Sequence, residues 1–352
     1  MIKHIPDGMA PANSVLEEAF VSRLIRATIL ERSVQATTAL WIAATGVVLV
    51  LARSSLPFDR PALRDKPFAL QVIFPSLGLI EIFALMGIVY WLTRHRAPID
   101  LASRAPNRRE SVRETTLLLV YAFIGQVGGW IIGPFLGYRA FSFHLAGTLV
   151  GISKPPLPGE VAIWSSYNFV VFAMVPWLWF RSRYSAEQLN LRSSDRLNDL
   201  MVIVTVAVVE SLVELGSFPG LFDLSVRQIL LGVPLAFGCY FLGTVLPTMI
   251  LIYAILLPRY ARLCDSFATT VIVGGLTYAA MHMVEGWSTF ANPRDTVLSL
   301  LFVPLTYLGP GMFKSFVTLR TGNAWVHAIG YHAIAPHVIV DTPLIVRALE
   351  IQ

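Results

Sequence analysis

Residues 327–337 read HAIGYHAIAPH and set three of the chain's seven histidines among largely apolar neighbours. Imidazoles in such surroundings suit metal ligation, proton transfer or simple hydrogen bonding. A spacing of five advances a regular α-helix by ~500°, or ~140° beyond one turn. His327, His332 and His337 then face three different sides and do not form one ligand set. Helical zinc pairs use i,i+4 spacing, which is absent here, so no metal site is expected. Pro336 lacks an N–H and clashes with the carbonyl four residues back. That carbonyl belongs to His332, which singles this histidine out, while His327 pairs with Tyr331 as packing. A second constellation is VVESLVELG, where Glu210 and Glu214 share one helix face. Two carboxylates that close in low dielectric cannot both ionise cheaply, an arrangement suited to acid–base work; the plain alternative is a polar bundle interior. A third is LTYAAMHMVEG, where His282 shares a face with Tyr278 and Glu285. Glu81 stands alone in mid-span, and Glu285 and Asp341 sit close enough to predicted span ends to reach water.

These residues are costly where they stand. Hydrophobic residues make up 55% of the 352 and charged ones only 14%, against roughly a quarter in soluble domains; the mean hydropathy is +0.64. Nine runs free of Lys, Arg and Asp approach or exceed the ~20 residues that cross a bilayer: about 33–52, 67–93, 116–138, 161–180, 200–222, 228–258, 266–290, 296–313 and 321–340. The expected fold is all-α, a polytopic membrane bundle of about eight or nine transmembrane helices. An ionisable side chain inside such a span costs ~2.5–3.5 kcal/mol on insertion scales and is a functional candidate by default. The run 141–153 is too short to cross and reads as a re-entrant or interfacial piece.

Residues 14–32 mix charged and apolar positions as an interfacial amphipathic helix does, and no cleavable signal pattern precedes them. The net charge of +5 comes from loop asymmetry rather than a nucleic-acid surface. Loops on the N-terminal side carry twice the Lys and Arg of the others, which puts the N-terminus in the cytoplasm and, with nine spans, the C-terminus outside. Cys239 and Cys264 lie in a span and at a helix end, a poor disulfide pair. There is no GxGxxG, P-loop or CxxCH, hence no expected cofactor. A basic loop (94–113) sets off the first two spans. A second loop (181–200) has the mixture of a short surface helix running into the fifth span. We divide the chain into residues 1–160, an N-terminal segment with variable spans, and 161–341, the chemical core.

In that core the order AEQLNLR (186–192), YAAMH (278–282), TGNAW (321–325) and HAIAP (332–336) resembles the CAAX-protease and bacteriocin-processing (CPBP, or Abi) family of intramembrane proteases. Its pattern is (E)xLGLR, then EExxxR, FxxxH, a TGSLW-like segment and HxxxN. The resemblance covers about half the chain. It implies a Glu and His that activate water against a peptide bond, and a His and Asn that support the oxyanion. Tyr278 stands at the Phe position, and His282 and His332 at the two histidines. Pro336 replaces the Asn, with His337 beside it able to donate. The segment LLPRY (256–260) puts the first motif at TMILIYA (248–254), where Thr248 and Met249 replace both glutamates and Tyr253 the arginine. The alternative register, ESLVELG (210–216), keeps Glu210 but lies far upstream of His282.

The resemblance implies an intramembrane endopeptidase acting on a membrane-embedded or membrane-proximal peptide. His282 would orient water with Glu210 or Glu214, and His332 would stabilise the oxyanion without metal or cofactor. The alternative is a catalytically silent relative that serves as a membrane scaffold for a partner protein or lipid-linked ligand. A third reading, altered chemistry on a lipid, has no supporting motif. The expected surroundings are the lipid bilayer of the cell (inner or plasma) membrane.

Overall fold

The structure, a computed structural model, describes residues 28–145 and 152–352. The expected amphipathic helix (14–32) lies almost wholly outside the described residues. The described chain is helical throughout, with no strand among the described residues. Seven helices are long and apolar enough to cross a membrane: α1 (Arg32–Ala52), α2 (Phe68–Thr93), α3 (Arg108–Phe135), α4 (Pro158–Arg181), α5 (Arg196–Ser217), α6 (Val226–Cys264) and, after a shorter α7 (Phe267–Ala280), α8 (Pro293–Thr321). A bent pair, α9 (Ala324–Val340) and α10 (Thr342–Ala348), meets at 49° and makes an eighth if counted as one span. The polytopic all-α bundle expected from composition is therefore what the chain forms. In water-free surroundings each span satisfies its own backbone hydrogen bonds, which is why only helices appear.

The run 266–290 divides differently from expectation. Its helix stops at Ala280, and Met281–Asn292 form a folded loop whose His282, Glu285 and Trp287 are buried. The surface helix expected within 181–200 is also absent. Asn190 adopts a left-handed conformation (φ 52°), which Asn tolerates, and breaks the helical path. Its side chain donates to the Tyr253 carbonyl (3.0 Å) and accepts from Arg104 (2.7 Å). Arg104 also donates to the Gly322 carbonyl at the α8–α9 turn. Asp199 gathers Arg96 (2.6 Å), Ser193 and Asn323 at the same end of the bundle. Near the start of α1, Glu31 accepts from Ser266 and Thr269, and the Ser266 hydroxyl, followed by Thr269, holds this carboxyl below its ordinary pKa.

The core is centred on the second half of α6, where Val245 and Pro247–Tyr260 are buried, whereas α1 buries only Val48 and Ala52. Helices α7 and α8 meet through small residues, as close membrane-helix packing requires. A methyl group on Gly311 would lie 2.7 Å from Tyr278 Cβ and 2.8 Å from Gly275 Cα. Backbone cannot yield there, so Gly311→Ala is expected to cost about 1–3 kcal/mol by overpacking. Gly87→Ala, whose added methyl meets nothing within 4 Å, serves as the control. Thermal unfolding in detergent checks the pair, and equal midpoints would refute the contact.

Candidate functional site

Four histidines converge in the core although their sequence positions span almost two hundred residues. His144 comes from the irregular stretch Phe141–Leu145, all five residues buried. Non-helical backbone at this depth must be satisfied by protein. Asn168 donates to the carbonyls of Ser142 (2.9 Å) and Gly243 (2.8 Å), and Trp164 and Thr244 donate to that of Phe143. The single Ser142 hydroxyl lies between two acceptors, Gln126 Oε1 (2.8 Å) and the Met281 carbonyl. The expected re-entrant piece is thus a buried irregular segment over 141–145; residues 146–151 lie outside the described residues.

The phase reasoning applied to HAIGYHAIAPH fails for two of its histidines. Ala328–Val340 is π-helical. Its i→i+5 bonding stacks residues five apart, and it moves the hydrogen-bond partner away from the carbonyl with which Pro336 would clash. His332 and His337 consequently share a face, with ring centres 5.0 Å apart. His327 stays apart from them and packs on Tyr253 at 4.3 Å, not on Tyr331, which meets Phe313. His144 lies against His282 (4.5 Å) and His337 (5.3 Å), and His282 stacks on Tyr307 (4.2 Å).

Hydrogen bonds set the tautomers of three rings. His282 Nδ1 donates to the Tyr278 carbonyl (2.6 Å), and His337 Nδ1 donates to Asp341 (2.8 Å). The Thr248 hydroxyl donates to the Thr244 carbonyl, so at 3.2 Å it accepts from His332 Nδ1. Each of these rings keeps Nε2 as its lone-pair nitrogen. Nε2 of His282 and of His337, and both nitrogens of His144, have no hydrogen-bond partner. Tyr278 Oη stands 3.4 Å from His332 Nε2. Thr248 therefore touches His332, in the place where the first-motif register puts a glutamate.

Glu285 and Asp341, expected to reach water, are instead 3% and 1% exposed. The chain folds back at both span ends, so ends of helices are not ends of the core. Glu285 sits 3.5 Å from His144 Nδ1. Arg60, buried from the loop after α1, lies over the Trp287 ring and offsets Glu285.

Glu210 and Glu214 do share one face of α5, and both are buried. Glu81, without a partner in the sequence reading, reaches them from α2 and borders the same cavity. Lys314 on α8 is buried, with Nζ 3.6 Å from the Tyr278 ring centre. One cavity of about 240 Å³ joins these groups. Glu81, Glu210 and Glu214 form one part of its wall, Lys314 and Tyr278 another, and His144, His332 and His337 a third. Apolar residues including Phe74, Leu77, Ile82 and Leu305 complete it. His282 stands behind this wall, against His144. The site thus unites Glu210, Glu214, His332, His337 and Tyr278, with Thr248 and His282 in the layer behind. Sequence reasoning passed over His144 and Lys314. A lone histidine in an apolar run too short to cross was the only signal for the first, and a single lysine inside a helix otherwise charged only near its ends (Arg294, Asp295, Arg320) for the second.

Comparison with protein-family models, with curated proteins and with solved structures finds no match to this chain.

Proposed function

We propose that the protein is a multi-pass intramembrane hydrolase related to the CPBP endopeptidases, acting on a peptide bond presented within or beside the bilayer. The observation that carries this reading is the shared cavity, which brings buried carboxylates and lone-pair imidazoles to one mostly apolar space. In it Glu210 or Glu214 takes the proton of an attacking water, and His332 polarises the developing oxyanion. His282 braces the cluster from behind through Tyr278 and His144. The contact between Thr248 and His332, which joins the first-motif and third-motif positions, supports the kinship. So does Asn190, which takes a left-handed backbone at the position of the glycine in LGLR. The surplus of Lys and Arg supports a cell-membrane orientation with the N-terminus in the cytoplasm.

The test is cleavage of a membrane-anchored reporter peptide library by the protein in proteoliposomes. Glu210→Gln is expected to lower the rate by 10²–10⁴-fold. Unchanged cleavage in that variant would remove Glu210 from the mechanism. A second reading, a binding scaffold, is favoured by one observation: a threonine hydroxyl, not a carboxylate, meets His332. Wild-type protein that retains reporter peptides without cutting them would establish it.

A further inference from the structure

We propose that His144, His332 and His337 form a binding site for one divalent transition-metal ion of the zinc or cobalt type. One ring nitrogen from each of the three lies within 4.8 Å of the others, and all three residues are buried. Ligands held 2.0–2.1 Å from a tetrahedral ion stand roughly 3.4 Å apart. A side-chain adjustment of about an ångström closes the set. Imidazole is the ligand that zinc, cobalt and their neighbours favour, whereas magnesium and calcium favour oxygen.

Four features point to a ligand rather than to packing. His144 is buried with neither ring nitrogen hydrogen-bonded, and His337 Nε2 is equally unpartnered. Such orphaned polar atoms are rare in native cores. Asp341 accepts from His337 Nδ1 at 2.8 Å, the carboxylate–histidine arrangement that orients metal-bound imidazoles and fixes their tautomer. Thr248 does the same for His332 Nδ1, leaving Nε2 as the donor to an ion. Finally, Glu285 stands 3.5 Å from His144 Nδ1, a carboxyl group beside the ligand set.

All three histidines line the cavity, so the fourth coordination position faces it, as in catalytic rather than structural zinc sites. His144 also belongs to a second grouping with His282 and Glu285. We assign the ion to the first because each of its ligands borders the cavity. The site stands on its own geometry and does not depend on the hydrolase reading. If both hold, the ion takes over the polarisation assigned above to His332.

The experiment uses the full-length chain in detergent or nanodiscs, stripped by a chelator and titrated with Co²⁺ alone. Binding is read from visible cobalt absorption and elemental analysis, with Zn²⁺ as competitor. The expected result is one ion per chain, displaced by zinc. His144→Ala and His337→Ala should each weaken binding more than 100-fold, and Asp341→Asn 10–100-fold. His327→Ala, a buried histidine outside the cavity, should leave binding unchanged. No cobalt absorption in the folded wild type would overturn the site, as would full binding in folded His144→Ala and His337→Ala. Metal binding without peptide cleavage sinks the hydrolase reading alone. Cleavage by chelator-stripped protein that then takes up no cobalt sinks the metal site alone.

Discussion

Glu114→Ala is expected to destabilise the protein by about 3–5 kcal/mol, the cost of leaving one partner of a buried ion pair uncompensated. Arg259 is 1% exposed and grips Glu114 through Nη2 (2.6 Å) and Nε (2.7 Å), joining α6 to α3. Tyr184 donates to the other carboxylate oxygen at 2.7 Å. The guanidinium also lies against the stacked rings of Phe180 (4.8 Å) and Tyr184 (4.9 Å). Removing the carboxylate strands a cation in the core. Removing both charges is different, because well-packed apolar replacements of a buried pair are often neutral or stabilising. Glu114→Leu with Arg259→Met should therefore recover most of the loss. Equilibrium unfolding of the three proteins in mixed micelles measures this. A single variant within 1 kcal/mol of wild type would mean that Arg259 finds water or another acceptor.

The second large effect concerns rate. His332→Ala is expected to reduce reporter cleavage by at least 10²–10⁴-fold, since it removes the imidazole to which the proposed mechanism gives the oxyanion. The double variant His332→Ala with Glu210→Gln is the sharper measurement. Residues that serve one step are strongly non-additive, so the double variant should be little slower than the slower single. Multiplied losses would show that the two residues serve separate steps, which contradicts a common site in the cavity. Both single variants must retain the wild-type unfolding midpoint for the comparison to count.

Most of the architecture was legible because a bilayer imposes a coarse and severe rule. A span needs about twenty apolar residues, and composition reports them directly. The α7 region misled for the same reason. Its apolar run continues past Ala280, but His282, Glu285 and Trp287 are packed in a loop that protein, not lipid, surrounds. Hydropathy does not distinguish those two surroundings. Glu210 and Glu214 were legible because i,i+4 neighbours on a regular helix must share a face. His332 and His337 were not, because the π-helical geometry of Ala328–Val340 changes which spacing shares a face, and a segment apolar on every side carries no periodicity to reveal it. His144 belongs to no motif and no span. Its place follows only from the tertiary contacts of Asn168, Trp164 and Thr244 with the strip on which it rides. Asp341 was named but misjudged, since a helix end is near water only when nothing folds back over it.

The spread of the site along the chain has a consequence for biosynthesis. Its groups run from Glu81 and His144 to His337 and Asp341. Chains are made and inserted from the N-terminus, and the early part folds first. The carboxylates enter the membrane well before the imidazoles of α9 that share their cavity. A nascent chain stalled before α9 contains much of the bundle but lacks His332 and His337. The cavity proposed as the site is complete only once α9 is in place, so on that proposal the order of synthesis keeps unfinished copies inert.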